Sequence, residues 1–259
     1  MSEDRWNSRV YRAYHDEEER SAFDLFSTIP LFEGTEALLD IGCGDGRLTA
    51  EFAQALPSGH VFGIDSSPQM IQEAKDRYGE LPQLTFFLQN AENFSFPIQF
   101  DYIVSVRTLH WIENLSAVFQ NVFHSLKRFG QFVARMGAAG PSVLYRSLDR
   151  LYADERWKNL SLVSHYFPQT SELVEQWLYD VGFRNFQVSV VPASHSYGSF
   201  FELTKWICCW LPHSLGVSDS NIIDGMSETL ATYIYQDQHR SLADPISFDW
   251  LNLYIEACL

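Results

Sequence analysis

The residues best placed to do chemistry together lie at Asp40-Ile41-Gly42-Cys43-Gly44-Asp45-Gly46. A short apolar run, Ala37-Leu38-Leu39-Asp40-Ile41, ends abruptly in glycines at alternate positions, and a helical pattern through Leu48, Phe52, Ala55 and Leu56 follows. A strand–turn–helix of this kind lets a ligand approach main-chain N–H groups closely at a helix N-terminus. A dinucleotide loop requires Gly-x-Gly-x-x-Gly, with the third glycine packing helix on strand. Here the glycines are Gly42, Gly44 and Gly46, and the bulky Arg47 occupies the place of that third glycine. Asp40 before the loop and Asp45 within it would repel a pyrophosphate but suit a ligand bearing an ammonium group. Asp65, ending the next apolar run His60-Val61-Phe62-Gly63-Ile64-Asp65, is placed to accept hydrogen bonds from both hydroxyls of a ribose. NAD sites share that feature, so it does not discriminate alone. Asn90-Ala91-Glu92, after a third run at 84–88, would set an amide and a carboxylate near an adenine edge, or simply cap a loop. The combination describes a cationic, adenosine-containing ligand without phosphates.

A second group follows the run Phe100 to Val106. His110 and Trp111 lie just beyond it, and Arg107 and Arg135 stand at the ends of the fourth and fifth runs. Open α/β sheets bind ligands at the carboxyl ends of their strands. A guanidinium fork there matches a carboxylate, and His110 or His165 could serve as base for a hydroxyl acceptor. Each also has an ordinary reading, as a structural hydrogen bond or a surface ion pair. Trp206-Ile207-Cys208-Cys209-Trp210-Leu211 could wall an apolar pocket or fill core.

These residues need a scaffold, and the hydropathy pattern supplies one. Apolar runs at 37–41, 60–65, 84–88, 100–106 and 131–135 alternate with helical periodicity. Ser67 before Pro68 reads as a helix cap with proline at the first helical position. Alternation of this kind predicts a parallel sheet covered on both faces, wound with right-handed crossovers. Residues 141–180 read as mostly helical, Val188–Val191 as strand-like, and 199–211 and 219–239 as two further helices. The last segment, Phe248 to Leu259, partly alternates and reads as an edge or hairpin strand. The first thirty residues read as amphipathic helix, carrying Tyr11 and Tyr14.

Leu39 to Gly46, Gly63-Ile64-Asp65 with Ser66-Ser67-Pro68-Gln69-Met70-Ile71, and Asp101-Tyr102-Ile103-Val104-Ser105 with Leu109-His110-Trp111 together resemble the class I S-adenosylmethionine-dependent methyltransferases. Within that family, Trp6-Asn7, Tyr11 and Leu109-His110-Trp111-Ile112 are most similar to the carboxyl-methylating branch of trans-aconitate methyltransferase-like proteins. The methyltransferases of juvenile hormone acid and of the malonyl carrier protein of biotin synthesis are related. The resemblance runs from about residue 6 to residue 136 and weakens beyond it.

It implies a seven-stranded, mostly parallel Rossmann-like α/β sheet whose last strand is antiparallel. N-terminal cap helices would occupy 1–30 and the methyltransferase domain 31–259, with a helical cap insertion at about 140–180 and helices at about 199–239. It also implies S-adenosyl-L-methionine as cofactor and S-adenosylhomocysteine as product. The implied contacts are Tyr11, Asp40, Gly42, Cys43, Gly44, Gly46, Asp65, Ser66, Met70, Asn90, Ala91, Glu92, Val106 and Trp111. His110, Arg107 and Arg135 would position a small or carrier-bound acid. Its carboxylate, ionised at neutral pH, needs no general base. Methylation of a hydroxyl, nitrogen or carbon, or a non-catalytic cofactor-binding module, are the other readings.

Composition narrows the partners. Thirty-three acidic against 18 basic residues give a net charge of −15, which opposes binding to nucleic acid phosphates. Cys43, Cys208, Cys209 and Cys258 have no metal-ligand spacing, so no metal is expected. Met1-Ser2-Glu3-Asp4-Arg5 opens no signal peptide, and no apolar run approaches the roughly 18 residues of a membrane span. The expectation is a soluble, cytoplasmic protein.

Overall fold

A computed structural model describes residues 34–160 and 164–259. The expected cap helices at 1–30, with Tyr11 and Tyr14, lie outside the described residues. The sheet is built from β1 (Ala37–Ile41), β2 (His60–Asp65), β3 (Leu84–Leu88), β4 (Phe100–Val106), β5 (Leu126–Gly137), β6 (Asn185–Tyr197) and β7 (Ile246–Cys258). The helices are α1 (Arg47–Ala55), α2 (Pro68–Tyr78), α3 (Leu115–Ser125), α4 (Val143–Tyr152), α5 (Ser171–Val181), α6 (Phe200–Leu215) and α7 (Ser220–Asp237), with a 3-10 turn at Leu109–Trp111. Strand order is β3-β2-β1-β4-β5-β7-β6. The first five strands are parallel, and β7 runs antiparallel to both β5 and β6.

Period-two alternation along buried strands divides the core. Leu39, Ile41, Ile103, Phe132 and Ala134 face Val118, Phe119 and Val122 of α3 and Val174 and Leu178 of α5. Leu38, Val61, Val104 and Val133 face Phe52 and Ala53 of α1 and Ile71 and Ala74 of α2. A third cluster joins α4, α6 and α7 through Leu144, Leu148, Leu203, Ile207, Leu230 and Ile234, and includes Ile246 and Phe248 of β7. Asp237 of α7 fastens α4 by accepting hydrogen bonds from Ser147, at 2.9 Å, and from Arg150.

Three features differ from the sequence expectation. The stretch 140–180 is not one unit: α4 packs with α7, whereas α5 packs on α3 and β6 as a sheet-covering helix. β6 is 13 residues long rather than four, and it is the sheet edge, with no fully buried residue. Its polar, half-exposed side chains and Pro192 weaken the apolar signal; proline is tolerated at an edge. The final strand is not at an edge but inserts between β5 and β6.

The strand order reverses between β1 and β4, so the loops after these two strands diverge and leave a crevice above the sheet.

Candidate active site

The loop from β1 to α1 forms one wall of that crevice. The N–H groups of Gly42 and Cys43 both donate to the carbonyl of Ile64, at 2.8 and 2.9 Å, fixing the loop on the end of β2. Gly42 has φ +75°, and a Cβ there would stand 2.1 Å from Thr108 Oγ1. Gly46, the N-cap of α1, has φ +82°, and its Cβ would meet the Phe86 ring at 2.6 Å. Both positions therefore exclude a side chain by conformation and by space. Around Gly44 the space is open, so a ligand can reach the backbone there.

Asp65 spans this wall. Its Oδ1 accepts from Ser67 N–H at 2.8 Å and its Oδ2 from Gly44 N–H at 3.1 Å. Gly42, Gly44, Asp65, Ser66, Met70, Asn90, Ala91, Val106 and Trp111, nine of the expected cofactor contacts, line one cleft of about 740 Å3. Asn90 Oδ1 accepts from Glu92 N–H at 2.8 Å, shaping the turn after β3.

Four expected contacts stand outside the lining. Asp40 is buried behind the loop, where Thr49 Oγ1 of α1 donates to it at 2.7 Å. Burial pushes its carboxyl up to about 7; the Thr49 hydrogen bond opposes this and the nearby Asp65 charge adds to it. Its place follows from the pleat, because residue 40 shares the face of Leu38, which looks at α1. Cys43 is buried in the core beside α1, and burial together with the charges of Asp65 and Asp40 raises its thiol well above the usual range. Gly46 packs against Phe86. Glu92 turns to Asn114, accepting its N–H at 3.3 Å at the start of α3. Sequence reasoning missed Gln89, Thr108, Ile112 and His213, which also line the cleft. Thr108 and Gln89 adjoin residues already singled out, whereas His213 comes from α6 and has no local signal.

A second cavity, about 630 Å3 and partly open to solvent, adjoins the first, and Arg107 and Trp111 belong to both linings. Arg107 has φ +59°, a conformation costly for a side-chain-bearing residue, and its N–H donates to the Arg135 carbonyl at 2.7 Å. Its guanidinium carbon stands 5.4 Å from the Trp250 ring centre. His110 is buried, and its Nδ1 accepts the Gly137 N–H at 3.0 Å. In the neutral imidazole the proton is therefore on Nε2, and the ring meets its surroundings there as a donor. Tyr145 Oη donates to the Ala138 carbonyl at 2.9 Å and lies 3.1 Å from Tyr166 Oη. The Tyr145 proton is thus committed, and Tyr166 donates to Tyr145. Burial raises both phenols above their ordinary range.

The cavity lining, among the described residues, contains one permanent cation, Arg107, and no carboxylate. Arg135 does not join it: the side chain is buried, with its guanidinium carbon 5.4 Å from the Tyr254 ring centre. His165 is also absent from both linings; its N–H donates to the Ser214 carbonyl at 2.8 Å. Trp206 and Trp210 do line the cavity. Among the described residues, no group of three or more His, Cys, Asp or Glu side chains could hold a metal, and no helix is long and apolar enough to cross a membrane.

A glycine wall with the Asp65 carboxylate at the end of β2 suits a cationic adenosine ligand better than a pyrophosphate, which that carboxylate would repel. Comparison with known proteins agrees. Residues 38–130 match the family model described as a methyltransferase domain. Trans-aconitate 2-methyltransferase of Methylobacterium radiotolerans is 32% identical over 131 residues, which are 51% of this chain and 49% of that enzyme. The chain thus spans about half the length of the curated relatives it matches. Among solved structures, phosphoethanolamine N-methyltransferase 2 of Haemonchus contortus, determined with phosphomonomethylethanolamine and S-adenosylhomocysteine, superposes with a TM-score of 0.66 at 16% identity, covering 97% of this chain and 57% of that one. A methyltransferase-like structure from Bacillus halodurans gives a TM-score of 0.64 at 16% identity, covering 92% of this chain and 98% of that one. Strand order, glycine loop and the match over residues 38–130 together show the fold of the class I S-adenosylmethionine-dependent methyltransferases.

Proposed function

We propose that the protein transfers a methyl group from S-adenosylmethionine to the carboxylate of a small or carrier-bound acid. The observation that carries this reading is the junction of the two cavities, where Arg107 is shared by both linings and the second lining, among the described residues, holds no carboxylate. A guanidinium attracts an anionic acceptor and repels an ammonium. The trans-aconitate 2-methyltransferases, a third identical over half the chain, have a name that points the same way.

When bound, S-adenosylmethionine supplies a methyl group on a positively charged sulfur. The chain's residues then divide the work. Asp65 would accept hydrogen bonds from ribose hydroxyls, and the open face at Gly44 admits the ligand to the backbone. Arg107 orients the carboxylate, and the Nε2–H of His110 adds a second donor. Trp111 and Tyr166, in ring contact at 5.1 Å, exclude water. Positioning and water exclusion supply much of the acceleration of such a displacement. No base is required, since a carboxyl with a pKa of about 4 is already ionised.

The test is a screen of small acids with methyl-labelled S-adenosylmethionine, followed by mild base treatment of the product. A methyl ester releases its label. His110→Gln keeps a donor and should cost less than the ~10²-fold lower end of general-base contributions. A base-stable product, together with collapse of turnover in that variant at unchanged cofactor affinity, would overturn the carboxylate reading.

A further inference from the structure

Four hydrogen-bond donors in the second cavity's wall form no hydrogen bond among the described residues. They are the indole N–H groups of Trp206, Trp210 and Trp250 and Nδ2 of Asn252. Trp206, Trp210 and Asn252 are 3%, 8% and 6% exposed. Buried polar groups are nearly always paired, because water lost on burial must be replaced. Four such donors on residues that line one cavity suit a ligand that brings acceptors.

Their arrangement gives that ligand a direction. Asn252 pairs across the sheet with Gly137, whose N–H holds His110, so it stands at the same end as His110 and Arg107. Trp250 follows, with its ring 5.4 Å from the Arg107 guanidinium carbon. Trp206 continues from it at 5.5 Å, and Trp210 from Trp206 at 5.3 Å. Leu144 and Leu148 complete the apolar end. One end is cationic and donor-rich; the other is aromatic with isolated N–H groups.

We propose that this cavity selects a monocarboxylic acid with a flat, apolar body carrying an oxygen acceptor at its far end. The carboxylate lies between Arg107 and Asn252, and the body lies among Trp250, Trp206 and Trp210. This rests on the carboxylate reading and deepens it. A tricarboxylate would bring two further charges against indole rings with no second cation in the lining, and a buried unpaired charge is strongly disfavoured. An amine would find no carboxylate among the described residues of that lining.

The experiment uses the full chain, methyl-labelled S-adenosylmethionine and four probes: 4-methoxycinnamate, cinnamate, trans-aconitate and 4-methoxyphenethylamine. The methoxy acid should exceed trans-aconitate in kcat/KM by about tenfold or more, because the two further carboxylates of trans-aconitate would be buried without a cation. Asn252→Asp, an isosteric change that opposes the acid's charge, should raise KM for 4-methoxycinnamate by about tenfold or more without changing S-adenosylhomocysteine affinity. Asn252→Ala replaces it if the aspartate variant does not fold. Trp206→Phe keeps a ring but removes the N–H, and should raise KM for the methoxy acid and not for cinnamate. Preference for trans-aconitate overturns this inference and leaves esterification standing. Methylation of the amine alone overturns both. If no probe turns over, calorimetry of 4-methoxycinnamate on the S-adenosylhomocysteine-loaded protein decides: binding that Asn252→Asp abolishes supports the proposal, and no binding at millimolar concentration overturns it.

Discussion

Replacing Asp65 with alanine should weaken the cofactor while leaving the fold in place. The carboxylate accepts Ser67 N–H at 2.8 Å and Gly44 N–H at 3.1 Å, so it ties the β2 end to the glycine loop. It is half-buried, and water can replace it on those two N–H groups, which limits the loss of stability. A bound ribose has no such replacement once the cleft is filled. Hydrogen bonds to a charged acceptor contribute about 1.5–3 kcal/mol. At 1.4 kcal/mol per factor of ten, S-adenosylhomocysteine affinity should fall by about 10- to 150-fold. Calorimetric titration reads the affinity, and circular dichroism with a thermal melt reads the fold. Affinity within about threefold of wild type, with the fold intact, would refute placement of the ribose on Asp65.

S-adenosylhomocysteine at a hundred times its Kd should stabilise the native protein by about 2.7 kcal/mol, seen as a raised Tm, whereas NAD should not shift it. Gly46→Ala combines left-handed strain of about 1–2 kcal/mol with overpacking of about 1–3 kcal/mol against Phe86, so urea unfolding should show a loss of about 2–5 kcal/mol. Phe86→Leu in that background should recover part of it, since the clash is with the far end of the ring. Asp40 titrates near 7 in the fold against about 4 in the unfolded chain, so the native state binds its proton more tightly between these values. Its contribution to stability is full below about pH 4 and is lost as pH rises through about 7. The Asp40→Asn variant, compared with wild type by chemical denaturation from pH 4.5 to 8, should lack this component; identical pH profiles would contradict the burial of an ionisable group there.

The five parallel strands and the glycine loop were legible in the chain because their signals are local. Strands buried on both faces write nearly unbroken apolar runs, and positive φ at Gly42 and Gly46 favours glycine at those positions. Asp65, Asn90 and Trp111 share the cleft lining because each follows a strand's carboxyl end, where the parallel α/β arrangement opens its crevice. Asp40, expected as a cofactor contact, stands outside the cleft lining: pleat alternation turns it toward α1, and the direction of a side chain depends on which helix covers that face.

Other features existed only after folding. β6 is written faintly because an edge strand buries little, and the place of β7 between β5 and β6 follows from pairing between segments more than 100 residues apart. That insertion brings Trp250 and Asn252 beside Arg107 and Gly137, while α6 delivers Trp206, Trp210 and His213 from the cap. No spacing in the sequence joins these residues. The cofactor wall was readable because one continuous β1-α1-β2 stretch builds most of it. The second cavity was not, because its walls come from α4, α6, β7 and the strand-end loops, and only packing of the cap on the sheet sets their distances.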